Sequence, residues 1–227
     1  MLFRSEGCGI DLHIDESDQL PPRGLLLLSD LLKEQRFEVP VVASHASSMG
    51  LMEDRPLRLL AEGLAEGGVG VVALPTTNLW LLDRDPETTP SRRPQAPIRQ
   101  LQQAGVTVAV GGDNVQDAWF AGGDFDPLEL IRFATVASHL MPWHRAGLAP
   151  FTTAPARLMR LEWDGVLRIG GPSDVVVVGA TSWSELLARS PQRRVLRQGH
   201  WLPPPPSEAL SPLLGQLNSL APTRHDN

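Results

Sequence analysis

Gly9-Ile10-Asp11-Leu12-His13-Ile14-Asp15-Glu16 decides how the rest of the chain is read. Its body is a short apolar strand, which brings His13 and Glu16 to one end of a sheet. A histidine and a carboxylate three residues apart at a strand end can point a metal ligand and a proton carrier into one pocket. The pattern recurs downstream. Val39-Pro-Val-Val-Ala-Ser-His45 is a β-branched run that again closes on a histidine, and Val106 to Val110 runs into Gly111-Gly112-Asp113-Asn114. The glycine pair allows a tight turn that sets the Asp113 carboxylate at the strand's carboxyl end.

Between these strands the sequence predicts helices. Ser17 or Asp18 is the expected cap of a helix whose apolar body is Leu25 to Leu32. A second is expected from about Glu53 to Ala65, with Pro56 in its first turn and Gly67-Gly68 as its stop. Val69 to Pro75 reads as a strand buried on both faces, and Asp83 to Pro97 as a long loop over one end of the sheet. Ile98 to Ala104 is a helix stopped by Gly105. Asp126-Pro127-Leu128-Glu129 starts another, with Asp126 as cap, that is expected to reach Leu140 or Met141.

Strand starts near residues 10, 39, 69 and 106 give one strand and one helix every thirty-odd residues. That rhythm belongs to βαβ units on a parallel sheet, whose strands all present their carboxyl ends on one side. Four units fit, against the eight of a complete barrel of about 250 residues. The remainder holds a capped short helix at Thr152 to Arg157, a strand at Asp174 to Gly179, a helix at Ser182 to Ala188 and a strand at Arg194 to Leu202. Pro203 to Pro206 reads as a polyproline spacer, and Leu210 to Leu220 as one packing helix before a polar tail.

Composition narrows the function classes. The chain has 227 residues, is 42% hydrophobic and carries a formal net charge of -6, with no basic run. Nucleic acid and anionic membrane are therefore not its expected partners, and a small polar substrate fits better. A single cysteine, Cys8, excludes an internal disulfide framework and any multi-cysteine zinc site, and is expected to be a buried or half-buried thiol. It also excludes the deaminases built on a Pro-Cys-x-x-Cys zinc signature. Met1 to Gly7 lacks the apolar run of a signal peptide, and no stretch approaches the roughly 20 apolar residues of a membrane span, so the cytoplasm is the expected location.

Taken together and in order, His13-Ile14-Asp15-Glu16, Ser44-His45-Ala46, Leu74-Pro75 with Asn78, and Gly112-Asp113-Asn114 with Asp117 and Trp119 resemble the second half of cytosine deaminase and its relatives in the amidohydrolase superfamily. The resemblance covers roughly residues 9 to 201. It implies the second half of a (β/α)8 TIM-type barrel, the metal-dependent hydrolase fold, over residues 1–162. Part of a small C-terminal β-sandwich would follow over 163–202, and a Pro-rich spacer and tail over 203–227.

The resemblance further implies one divalent metal, zinc or iron, with His13 and Asp113 as ligands, Glu16 as proton shuttle and His45 orienting the attacking hydroxide. Asp113 would also take a proton, Trp119 would pack over the substrate, and Asn114 stands where cytosine deaminase has a second aspartate, which alters substrate choice. The implied reaction is hydrolytic deamination of a cyclic amidine such as cytosine or a related nucleobase-like heterocycle. Relatives carry a His-x-His pair on the first barrel strand, and this sequence has none, so the metal is expected to be incompletely ligated here. A truncated or split enzyme follows, with a partner chain supplying barrel strands one to four or with homo-oligomerisation. Two other readings are an amidohydrolase for another cyclic amide and a non-catalytic half-barrel remnant acting as an oligomeric scaffold.

Overall fold

The computed structural model describes residues 8–189 and 191–203, and the chain divides into two units between Gly171 and Pro172. The first unit is built on a four-stranded parallel sheet, β1 (Ile10–Ile14), β2 (Val41–His45), β3 (Gly70–Ala73) and β4 (Val108–Val110), in the order β1-β2-β3-β4. Neighbours in space are thus successive in sequence, which is what a chain of right-handed βαβ crossovers produces when it never reverses direction.

Register fixes two kinds of row across this sheet. Leu12, Ala43, Val71 and Val108 lie side by side, and so do His13, Ser44, Val72 and Ala109. Successive side chains on a strand point to opposite faces, so the first row joins the hydrophobic core and the second faces away from it. Along β1 this gives half-buried Ile10, Leu12 and Ile14 against exposed Asp11 and His13.

Helices α1 (Arg23–Glu34), α2 (Asp54–Glu66), α4 (Ile98–Gln103) and α5 (Pro127–Ala137) contribute the other side of that core. α2 buries Leu57, Leu60, Ala61 and Leu64, the i, i+3, i+4, i+7 stripe of a one-faced helix. The turns after α2 and α4 are the same device used twice. Gly68 (φ +69°) and Gly105 (φ +96°) adopt the left-handed conformation open to glycine, and the N–H groups of Val69 and Val106 bond back to Leu64 and Leu101 at 3.0 Å each. Each turn releases the chain straight into the next strand.

Three boundaries differ from the sequence expectation. α1 begins at Arg23, not near Ser17, because its donors are satisfied from outside the helix: the Asp15 carboxylate accepts from Gly24 N–H (3.1 Å) and Leu25 N–H (2.7 Å). β3 stops at Ala73, and Pro75 opens a further helix, α3 (Pro75–Leu81), at the position where a missing N–H costs nothing. α5 ends at Ala137, short of Leu140, because Gln95 captures its last turn. The Gln95 amide donates to the Ala137 carbonyl (2.8 Å) and accepts from the Ser138 hydroxyl (2.6 Å), after which His139 turns the chain at φ +50°. Asp126 caps α5 as expected, accepting from Leu128 N–H at 3.0 Å. Cys8 is exposed rather than buried. α6 (Thr153–Leu158) is the short helix expected from Thr152 onward.

The second unit is a three-stranded antiparallel sheet, β5 (Val175–Val178), β6 (Arg193–Arg197) and β7 (His200–Trp201), with α7 (Trp183–Ala188) between β5 and β6. The single strand expected from Arg194 to Leu202 is instead a tight hairpin. Gln198 and Gly199 both take positive φ (49° and 78°), the two-residue turn whose twist matches antiparallel strands. The expected polyproline spacer beyond Pro203 and the helix at Leu210 to Leu220 lie outside the described residues. Among the described residues no helix is long and apolar enough to cross a membrane.

Candidate active site

The carboxyl ends of β1, β2 and β4 meet in a cluster of ionisable groups. One ligand atom each from Glu16, His45 and Asp113 lie within 4.8 Å of one another. His13 joins through His45: its Nδ1 is 3.0 Å from His45 Nε2, with the rings tilted at 5.0 Å between centroids. The other nitrogen of His45, Nδ1, is 3.1 Å from Asn78 Nδ2 and 3.4 Å from Glu16 Oε1. The ligand-competent trio therefore contains His45 and Glu16 beside Asp113, with His13 one ring removed.

Backbone geometry at these strand ends is unusual. Asp15, His45, Ala46 and Asp113 all sit at positive φ (53°, 73°, 52° and 64°). For residues with a Cβ this costs about 1–2 kcal/mol each, and it persists only where surrounding bonds over-determine the turn. Those bonds are present. The Asp15 carbonyl accepts from the hydroxyls of Ser47 (3.0 Å) and Ser48 (3.3 Å) and from Ser48 N–H (3.2 Å), while its carboxylate holds the start of α1. The short step from His13 to Glu16 is thereby clamped to the turn that follows β2 on one side and to α1 on the other.

α3 secures the opposite end. Thr77 and Asn78 are both fully buried. The Thr77 hydroxyl accepts from Asn114 N–H (3.2 Å) and contacts the Gly112 carbonyl (3.5 Å), which grips the turn that carries Asp113. Asn78 meets His45 and, at 3.4 Å, Glu16. One turn of helix thus touches the ends of all three site strands. Pro75, expected as the end of a strand, is instead the first residue of this helix, the position at which proline's fixed φ and missing N–H fit.

Burial lowers the basicity of His45, reinforced by the nearby His13 and opposed by Asp113 and Asp11, so its imidazole is neutral at physiological pH. Burial raises the Glu16 carboxyl above its usual range; the Asp113 charge adds to this and His13 opposes it. A carboxyl that holds its proton unusually well, beside a neutral imidazole and a second carboxylate, is equipped for proton transfer.

Two residues assigned to substrate lie on the rim. The Asn114 side-chain amide donates to Asp117 Oδ2 at 2.6 Å, and Asp117 Oδ1 accepts from Trp119 and Phe120 N–H (2.9 and 2.8 Å). These bonds hold the Asp117 carboxyl below its ordinary range, the Asn114 bond first among them. Trp119 is 62% exposed, and its carbonyl takes the indole N–H of Trp80 at 2.7 Å. His139, His144 and His200 are exposed.

Comparison with known proteins bears on this arrangement. Residues 2–200 match the model described as "Amidohydrolase family". The chain belongs to that family. It is 34% identical over 196 residues to a pterin deaminase of Rhizobium rhizogenes (strain K84 / ATCC BAA-868), covering 86% of this chain and 45% of that protein. Among solved structures, 5-methylcytosine deaminase from Klebsiella pneumoniae aligns with a TM-score of 0.75 at 24% identity, over 90% of this chain and 50% of the other. N-isopropylammelide isopropylaminohydrolase from Burkholderia multivorans ATCC 17616 aligns with a TM-score of 0.68 at 26% identity, over 88% and 48%. The family's barrel-like α/β fold agrees with the parallel sheet described above, and the chain spans about half the length of these relatives.

Proposed function

We propose that this chain carries the second half of a (β/α)8 barrel and the proton-transfer side of a hydrolase that deaminates a cyclic amidine, a nucleobase-like or pterin-like heterocycle. The observation that carries this reading is the convergence of Glu16, His45 and Asp113 from three strand ends within 4.8 Å. Sites in parallel α/β folds are built at that end of the sheet. The sequential strand order and the outer edge of β1, unpaired among the described residues, support a barrel whose remaining strands come from another segment, in the same polypeptide or a partner chain.

The donor set fits a divalent cation. Imidazole nitrogens and carboxylate oxygens in one cluster suit zinc or iron, and His13 uses Nδ1 toward His45, which leaves Nε2 as its coordinating atom. In this reading His13 and Asp113 hold the ion, with the remaining ligands supplied by the missing strands. Such an ion lowers the pKa of bound water toward neutrality and polarises the carbon under attack.

The chain's own residues do the rest. Asp113 accepts the proton released as water becomes the nucleophile, and His45, neutral and buried, orients that water by hydrogen bonding. Glu16, whose raised pKa keeps a proton available, protonates the ring nitrogen as the tetrahedral carbon forms. The Glu16 carboxylate then takes the proton left on the attacking oxygen and passes it to the departing amine, which leaves as ammonia while the ring carbon becomes a carbonyl, and the proton held by Asp113 restores Glu16. Asn114, bonded to Asp117, shapes the rim by which the substrate is chosen, and Trp119 stands ready to close over the ring.

The test is a pair of measurements on the chain co-purified with the front half of the pterin deaminase relative. Stoichiometric zinc or iron and ammonia release from cytosine or a pterin are expected. A complex that binds metal and releases ammonia from no such heterocycle would refute the deaminase reading.

A further inference from the structure

α3 grips the segment between β4 and α5 at two points. At the segment's base, the Thr77 hydroxyl accepts from Asn114 N–H at 3.2 Å. At its tip, the Trp80 indole N–H donates to the Trp119 carbonyl at 2.7 Å. The Trp80 and Phe120 rings also pack at 5.5 Å between centroids, tilted by 59°. Thr77 and Trp80 are three residues apart, neighbours on the surface of a helix. One short helix therefore sets both the root and the far end of the segment.

Between those points the segment is closed on itself. Gln116 N–H donates to the Gly122 carbonyl and Asp117 N–H to the Phe120 carbonyl, at 3.0 Å each. Asp117 Oδ1 accepts from Trp119 and Phe120 N–H, and Asp117 Oδ2 takes the Asn114 amide. A loop bonded in this way moves as one piece, so the bond from Trp80 decides where the piece sits. Trp80 is held from its other side as well. The Arg84 guanidinium lies 4.6 Å from its ring centroid, and Arg93 Nε donates to the adjacent Leu79 carbonyl at 2.7 Å.

The main chain of Trp119 is thus fixed while its side chain stays 62% exposed. An aromatic ring on an anchored backbone is a prepared surface for another flat ring. We infer that Trp80 is a positioning residue: its indole N–H latches the 116–123 loop to α3 and so sets Trp119 in place at the rim for a flat heterocycle. What Trp119 meets follows from the deaminase reading, on which this part rests; the latch stands on the chain's own contacts. A loop ordered beforehand loses less freedom when substrate arrives, so the effect falls on substrate binding and not on proton transfer at Glu16 and Asp113.

Two measurements on wild type, Trp80→Phe and Trp80→Leu test the inference. Trp80→Phe keeps a ring against Phe120 and removes the donor, and Trp80→Leu removes both. Hydrogen–deuterium exchange of the full chain should show the amides of residues 116–120 exchanging about fivefold faster in Trp80→Phe, the effect of one lost hydrogen bond, and faster still in Trp80→Leu. In the chain completed with the front half of its relative, ammonia release should show KM raised about fivefold in Trp80→Phe and further in Trp80→Leu, with kcat within about twofold of wild type. Exchange at 116–120 unchanged in Trp80→Phe would overturn the latch. A fall in kcat with KM unchanged would overturn the positioning role. If Trp80→Leu fails to fold, Trp80→Phe decides both points. A completed wild type that releases no ammonia would refute the deaminase reading and leave the latch to be judged by exchange.

Discussion

The two faces of the parallel sheet differ by a one-residue step along each strand and do opposite work. The row Leu12, Ala43, Val71, Val108 packs into the core beneath the helices. The next row, His13, Ser44, Val72, Ala109, starts with an exposed histidine and leads to the cluster at the strand ends. One face supplies cohesion, and the candidate site gathers where the strands end. Keeping the two apart lets the strand ends hold polar groups and strained turns beside an otherwise apolar core.

The largest effect on stability is expected on the covered face. Leu64, fully buried on α2, should cost about 2–5 kcal/mol when changed to alanine, through lost burial and the cavity left behind. Denaturant unfolding measures this, and a loss below 1 kcal/mol would mean that the helices do not form the core described.

Asp15→Ala tests the joint between the faces. It removes the acceptor of two α1 N–H groups, for an expected loss of about 1–2 kcal/mol. It should also loosen the step from His13 to Glu16, and so weaken metal binding in the completed protein. An unchanged metal affinity would show that the Ser47 and Ser48 bonds hold the turn alone. Gly105→Ala, at φ +96°, should cost about 1 kcal/mol with no effect on the site, since it touches only the α4 to β4 turn.

The smallest effect is a gain. Because burial raises Glu16, the folded state holds that proton above the ordinary glutamate pKa, and stability falls as pH rises from there through the folded-state value. Glu16→Gln removes this penalty. The metal-free variant should melt higher than wild type at pH 7 and level with it at pH 4, as followed by thermal denaturation. A difference of the opposite sign at pH 7 would contradict the burial argument.

Much of the fold was legible because its signals are local. β-branched runs gave the strands, glycine stops gave the ends of α2 and α4, and Asp126-Pro127 gave the start of α5. What escaped depends on contacts distant in sequence. The cap of α1 comes from Asp15, eight residues before Arg23, and the end of α5 is set by Gln95 from a loop more than thirty residues upstream. The site was legible as residue types at strand ends, so His13, Glu16, His45 and Asp113 could be named. Their mutual arrangement was not. That His45, not His13, stands directly beside Glu16 and Asp113, and that Thr77 and Asn78 organise both sides, follows from α3. A proline at a strand's end hid that helix.

The central claim is that the carboxyl ends of the parallel strands carry a hydrolase's proton-transfer groups. Ammonia release by the chain completed with a front half, compared between wild type and Glu16→Gln, tests it most directly. The account predicts turnover for wild type and loss of more than about a thousandfold for the variant, about 4 kcal/mol of barrier, with metal content unchanged. Full activity in Glu16→Gln, or loss of its metal in place of its turnover, would contradict it.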